Sequence, residues 1–165
     1  VGFKNGTEGN VDIAVNAIVS AQSEHNFLGM DGNGRVSVVT TKGNPYCHVI
    51  LRGGNAGPNY DEKSVAESVA FCEKAGVNAR ILIDCSHANS EKNYKNQGKV
   101  WREAFRQIKE GNENIAGLMV ESNLSEGSQK VAGGWGELKH GVSVTDSCIG
   151  WEETEKLVME AYKGI

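Results

Sequence analysis

Proline is nearly absent from this chain, with two residues in 165, and no apolar stretch is long enough to span a membrane. No segment reads as a signal peptide. No run of lysine or arginine suggests a nucleic-acid partner, and no acidic block suggests a disordered tail. The four cysteines, Cys47, Cys72, Cys85 and Cys148, fit neither a zinc ribbon nor a CxxC redox motif and read as reduced, buried thiols. These absences argue against a membrane-spanning, nucleic-acid-binding or disulfide-framed protein, and a soluble, cytoplasmic one is expected. Glycine, by contrast, is abundant at 21 residues. Glycine punctuation with so little proline fits short loops between strands and helices better than a disordered linker.

Four short apolar runs each end in a polar or charged residue followed by small ones. They are Val1-Gly2-Phe3 before Lys4, His48-Val49-Ile50-Leu51 before Arg52, Ile81-Leu82-Ile83 before Asp84-Cys85-Ser86-His87, and Ala116 to Val120 before Glu121. Near-continuous apolar runs of this length predict strands buried on both faces, as in a parallel sheet. Helical spacing fills the gaps. It brings Val11, Val15 and Ile18 onto one face, then Val65, Val69 and Cys72 between Asp61 and Ala75, with Gly76 as a stop. Trp101, Ala104, Phe105 and Ile108 form a third stripe, and Leu157, Val158 and Ala161 are expected to face inward on a last helix from about Glu152 to Tyr162. Alternation of strand and helix implies a parallel sheet with helices outside it. Arg52 to His87 and His87 to Glu121 are each about one βα unit apart. Lys4 to Arg52 is longer. The excess holds two β-rich runs, Phe27–Met30 and Val36–Thr40, around Asp31-Gly32-Asn33-Gly34, which predicts an inserted β-hairpin at about 26–41.

Ligands of such sheets bind at the carboxyl ends of the strands. Lys4, Arg52, His87 and Glu121 all occupy that position. Any one of them alone reads as a solvated loop residue; four in register favour an active site. His87, Glu121 and Asp146 offer one imidazole and two carboxylates, a set suited to Mn, Fe, Co or Zn as divalent ions. Asp146 reads equally well as a cap for the last helix. Lys4 and Arg52 suit a phosphate or carboxylate clamp, with Gly53-Gly54 allowing close backbone approach, although Lys4 could also form a Schiff base. Asp84 either orients another group or is a hydrogen-bonded core carboxylate. His48 lies at the wrong end of its strand and reads as structural, and His25 and His140 as exposed.

Several segments together carry a family resemblance. Val1-Gly2-Phe3-Lys4-Asn5-Gly6-Thr7, Ile50-Leu51-Arg52-Gly53-Gly54, Asp84-Cys85-Ser86-His87-Ala88-Asn89-Ser90, Val120-Glu121-Ser122-Asn123-Leu124 with Glu126-Gly127, and Thr145-Asp146-Ser147-Cys148-Ile149-Gly150-Trp151 resemble type I 3-deoxy-D-arabino-heptulosonate 7-phosphate (DAHP) synthase, in order and over essentially the whole chain. The resemblance implies units 5–8, the C-terminal half, of a (β/α)₈ barrel, one partial domain over 1–165 with the hairpin inserted. It also implies the condensation of phosphoenolpyruvate with erythrose 4-phosphate that opens the shikimate pathway. By resemblance, Lys4 and Arg52 hold phosphoenolpyruvate, Lys4 also carrying a proton, and His87, Glu121 and Asp146 bind a divalent metal, Mn²⁺ first among the choices. Phe27, Gly29 and Val39 fall where the feedback-inhibited subtype takes an aromatic effector, Phe or Tyr. A homo-oligomer, dimer or tetramer, is expected. The family's cysteine metal ligand, its further phosphoenolpyruvate contacts and its Lys-Pro-Arg-Thr segment for the sugar phosphate would lie in an N-terminal half missing here, so the chain alone is expected to be nearly inactive. Small insertions relative to the family fall near Gly57 and in the Gly133–Lys139 loop. The alternatives are the related octulosonate 8-phosphate synthase, disfavoured by the Ser86–Ser90 segment and the hairpin, and a non-catalytic half-barrel that binds phosphate ligands or an aromatic effector.

Overall fold

The computed structural model describes residues 1–133 and 135–164. The elements run β1 (Gly2–Lys4), α1 (Asp12–Gln22), β2 (His25–Met30), β3 (Val36–Thr41), β4 (His48–Leu51), α2 (Glu62–Lys74), β5 (Ile81–Asp84), α3 (Gln97–Lys109), β6 (Ile115–Met119) and α4 (Trp151–Gly164). Short 3₁₀ turns occupy Tyr94–Asn96 and Trp135–Glu137. Strands β1, β4, β5 and β6 form one sheet in that order, every pair parallel, with Phe3 opposite Val49, Ile50 opposite Leu82 and Ile83 opposite Leu118. Strands β2 and β3 form a separate antiparallel hairpin, with Phe27 paired to Val39 and Leu28 to Val38. Among the described residues no helix is long and apolar enough to cross a membrane.

Local chemistry explains the element ends. Asp61 caps α2 by accepting from the Ser64 N–H and hydroxyl, and Gly76, at φ +67°, closes the helix with its N–H on the Glu73 carbonyl. At the hairpin tip Asp31 Oδ1 accepts from the N–H groups of Asn33 and Arg35, and Gly34 supplies the positive φ the turn needs.

The core lies between the sheet and its helices. Ile18, Val49, Leu51, Val65, Cys72, Ile81, Ile83 and Val100 are buried in one cluster, each large aliphatic contributing roughly 1.5–3 kcal/mol on removal from water. Three expectations are corrected here. The strands are not all buried on both faces: β4 and β5 are, but β1 and β6 are partly exposed, being the two edges of the sheet. On α3 the buried face is Gln97, Val100, Ala104 and Gln107, with Trp101, Phe105 and Ile108 at its margin. Gln97 on that face meets the Glu121 backbone and Gln107 the Tyr60 carbonyl, so two glutamines fill positions that an apolar pattern overlooks. On α4 only Leu157 is buried among the described residues, and Val158 is half exposed.

After β6 the chain doubles back beside itself. Isolated bridges join Ser122 to Ile149 and Ser128 to Ser143 in parallel, and Gly127 to Cys148 antiparallel. This return lays Asp146 next to the end of β6. The insertion expected at Gly133–Lys139 includes Gly134, which lies outside the described residues.

Candidate metal and anion site

Every strand of the parallel sheet delivers a charged candidate side chain at or just beyond its carboxyl end. Lys4 ends β1, Arg52 follows β4, Asp84 ends β5, and Glu121 lies just beyond β6. His87 sits in the loop after β5 with φ +55°, a left-handed conformation uncommon outside glycine. Backbone bonds from Ala88 and Asn89 N–H to the Arg52 carbonyl, and from Lys92 N–H to the His87 carbonyl, hold it there.

Buried amides stitch these loop starts together. Asn5 Oδ1 accepts from the Arg52 N–H at 2.8 Å and its Nδ2 donates to the Gly53 carbonyl at 2.9 Å. Asn89 Nδ2 donates to the Leu51 and Asp84 carbonyls, and its Oδ1 accepts from the Asn59 N–H. Gln97, fully buried, clamps the backbone of Glu121 from both sides, accepting from its N–H at 2.8 Å and donating to its carbonyl at 3.1 Å. The Gly53-Gly54 pair lines the cleft and also has a packing role. A Cβ on Gly53 would stand 2.7 Å from Asn89 N and one on Gly54 2.3 Å from Gly9 N, so the pair admits the protein's own loops.

His87, Glu121 and Asp146 converge. Their nearest donor atoms all lie within 4.8 Å of one another. His87 Nε2 is 3.5 Å from Glu121 Oε1 and 4.0 Å from Asp146 Oδ2. Donors that each stand about 2.0–2.2 Å from a common ion are roughly 3–4 Å apart, a range that both His87 separations fall in, and the donor set suits a divalent cation. Ser86 Oγ donates to Glu121 Oε2 at 2.7 Å, which turns Oε1 toward the histidine. Asp146 is no cap for α4: it lies well before Trp151 and its carboxylate faces His87.

The triad opens on a cleft of about 890 Å³ that is also lined by Arg52, Thr7, Asn55 and Lys92. That volume is within the range of small-molecule sites. Arg52 makes no ion pair among the described residues. Lys4 is not in the cleft lining; its Nζ donates to Asp84 Oδ2 at 2.7 Å. Phe27, Gly29 and Val39 lie apart from the cleft on one face of the hairpin, where a Cβ on Gly29 would meet Val39 Cγ2 at 2.9 Å. His48 starts β4, at the far end of the sheet, and burial pushes its pKa down. His25 and His140 are exposed.

Sequence reasoning weighed Asp84 without choosing a role for it, and missed Ser86, Asn89 and Gln97. Asp84 and Ser86 carried a faint signal, polar residues in the register between a buried strand and His87. Gln97 carried none.

The chain is an α/β domain whose parallel sheet brings His87, Glu121 and Asp146, a group that could hold a metal ion, into one cleft with Arg52, which has no ion pair among the described residues. A model of the DAHP synthetase I family matches residues 1–159, and the chain belongs to that family. The Tyr-sensitive phospho-2-dehydro-3-deoxyheptonate aldolase of Salmonella typhimurium is 47% identical over 165 residues, covering 100% of this chain and 46% of that protein. The phenylalanine-inhibited aldolase of Saccharomyces cerevisiae is 44% identical over 171 residues, covering 100% and 46%. The solved phospho-2-dehydro-3-deoxyheptonate aldolase of Francisella tularensis superimposes with a TM-score of 0.89 at 41% identity, covering 99% of this chain and 47% of that one. The chain thus spans about half the length of these relatives.

Proposed function

We propose that this chain is the C-terminal part of a DAHP synthase, which joins phosphoenolpyruvate to erythrose 4-phosphate and releases phosphate. The observation that carries this reading is the convergence of His87, Glu121 and Asp146 beside Arg52 in one cleft. In this reading the three residues hold a divalent ion, Mn²⁺ first, with Fe²⁺, Co²⁺ and Zn²⁺ as alternatives. A bound ion there supplies Lewis acidity toward the sugar aldehyde. Arg52 pairs with the phosphate or carboxylate of phosphoenolpyruvate, for which a planar guanidinium is well shaped. Lys4 adds a second cation and a proton. The enol carbon of phosphoenolpyruvate bonds to the aldehyde carbon, water adds at the neighbouring carbon, and phosphate leaves with its oxygen by C–O cleavage.

The reading places the chain as units 5–8 of a (β/α)₈ barrel in a homo-oligomer, dimer or tetramer, as one partial domain over 1–165. Its support is the pair of open sheet edges, β1 and β6, together with the coverage of the relatives. An open edge of this kind invites pairing with another strand. We also assign Phe27, Gly29 and Val39 to an aromatic effector site, Phe or Tyr. The support is their common face on the hairpin and the names of the two relatives, one Tyr-sensitive and one phenylalanine-inhibited.

The test is phosphate release from phosphoenolpyruvate plus erythrose 4-phosphate with added Mn²⁺, run on this chain alone and on the chain joined to an N-terminal half. We expect little turnover from the first and robust turnover from the second. No turnover after joining would overturn the synthase reading. Full turnover by the chain alone would overturn the partial-site reading.

A further inference from the structure

We propose that Asp84 is a positioning residue that ties the cation of Lys4 to the ring of His87 and so sets both halves of the site at once. The inference rests on the synthase reading for what the two halves hold. Asp84 ends β5, an interior strand flanked by β4 and β6, and only 1% of it is exposed. One oxygen, Oδ2, lies 2.7 Å from Lys4 Nζ and 2.9 Å from His87 Nδ1. The other, Oδ1, accepts from the Ser86 N–H at 2.9 Å, and the residue's carbonyl accepts from Asn89 Nδ2. Every oxygen of Asp84 is therefore held, and the carboxylate cannot turn.

The consequence for His87 is a choice of tautomer. Nδ1 makes no in-line hydrogen bond, so proximity and charge decide where the proton sits. A bare lone pair on Nδ1 would face a carboxylate oxygen at 2.9 Å and be repelled, whereas an N–H there is attracted. The proton belongs on Nδ1, which leaves the Nε2 lone pair directed at Glu121 and Asp146. A metal-ligating imidazole with its second nitrogen on a carboxylate is oriented and made more basic. Lys4 gains in the same contact. Its ammonium is outside the cleft lining and half covered, and Asp84 is its sole acidic partner among the described residues. Lys4 is also the cation that faces the buried Asp84 side chain, at 2.7 Å.

The test uses the full-length protein that carries this chain and the variant Asp84→Asn, which keeps the size of the side chain and removes its charge. Co²⁺ is the probe for the metal site, read by its visible absorption and by titration. Phosphoenolpyruvate binding is read by calorimetry, and a thermal melt reports folding. We expect Co²⁺ to bind the folded variant about 10–100-fold more weakly with a shifted absorption band, in line with losses on removing an outer carboxylate. Phosphoenolpyruvate should weaken in the same variant. Arg52→Lys should weaken phosphoenolpyruvate alone and leave the Co²⁺ spectrum in place. A folded Asp84→Asn protein with the parent's Co²⁺ affinity and spectrum would overturn the proposal. If Asp84→Asn does not fold, ¹⁵N NMR of the His87 ring in the unsubstituted metal-free protein decides. A proton on Nδ1 supports the proposal, and a proton on Nε2 with Nδ1 bare overturns it. Should the unsubstituted protein bind neither Co²⁺ nor phosphoenolpyruvate, the synthase reading fails, while the ring tautomer still decides the role of Asp84.

Discussion

The cleft and the hairpin of β2 and β3 are built from opposite materials. In the cleft, polar side chains are buried and nearly all are bonded: Asn5, Asp84, Ser86, Asn89 and Gln97 together fix the ends of four strands. In the hairpin, apolar side chains are exposed: Leu28, Met30, Val36 and Val38 each stand at least 70% in solvent. Among the described residues the hairpin pairs with itself and with no strand of the main sheet. Preorganised donors hold a reactive geometry before a ligand arrives, which chemistry requires. The proposed catalytic and effector roles follow this division.

The largest expected effect is in the cleft. His87→Ala in the full-length enzyme removes the one nitrogen donor of the triad and should abolish metal-dependent phosphate release, a loss beyond the about 10–100-fold that outer-shell changes bring. Unchanged Mn²⁺-dependent activity would end its ligand role. Arg52→Ala comes next. Losing a charge-assisted contact of about 1.5–3 kcal/mol should raise the KM for phosphoenolpyruvate roughly 10–100-fold, and an unaltered KM would remove Arg52 from the anion site.

Much of the frame was legible in the residues. The apolar runs ending at Lys4, Arg52, Asp84 and Glu121 became β1, β4, β5 and β6 to within a residue or two; β4 and β5, buried in the sheet interior, carry the continuous apolar signature most fully, while the edge strands β1 and β6 are partly exposed. The hairpin was legible from its turn chemistry. Spacing alone left Asp146 open between cap and ligand, and only the family resemblance chose, since its place depends on a return path made by isolated bridges (Ser122 to Ile149, Gly127 to Cys148, Ser128 to Ser143) with no periodicity to read. Gln97 and Asn89 were illegible for a related reason. Their bonds go to backbone carbonyls and N–H groups of distant loops, and no spacing in the chain records such partners.

Those amides supply the next prediction. Asn89→Ala leaves the Leu51 and Asp84 carbonyls without their side-chain donor and the Asn59 N–H without its acceptor. It should destabilise the protein by about 2–4 kcal/mol, read by denaturant unfolding, since each buried polar group left unpaired costs roughly 1–3 kcal/mol. A loss below about 1 kcal/mol would mean that the cleft is less tightly held than its bonding indicates. The matching change on the hairpin, Leu28→Ser, should alter stability by less than about 0.5 kcal/mol. Phe27→Ala should leave uninhibited turnover intact and reduce inhibition by Phe or Tyr in a dose–response assay. Equal inhibition in variant and parent would sever the hairpin from regulation.

The smallest effect is chemical. Burial, and then the Asp84 charge, push the Cys85 thiol up to about 12. Its raised folded value means that the folded state holds the proton longer than the unfolded one. Its contribution to stability is complete below the ordinary thiol value of 9.0 and falls as pH rises from there toward about 12. At pH 8 the native thiol should resist alkylation and react only on unfolding, as mass spectrometry of iodoacetamide-treated protein would show. Rapid native labelling of Cys85 would contradict the tight packing of β5.

Anomalous diffraction from crystals of the full-length protein grown with Mn²⁺ and phosphoenolpyruvate tests the metal-and-anion reading of the cleft most directly. The expected result is one manganese peak within about 2.0–2.3 Å of His87 Nε2 and of carboxylate oxygens of Glu121 and Asp146, with phosphoenolpyruvate on Arg52. A manganese peak elsewhere, with these three side chains unligated, would contradict it.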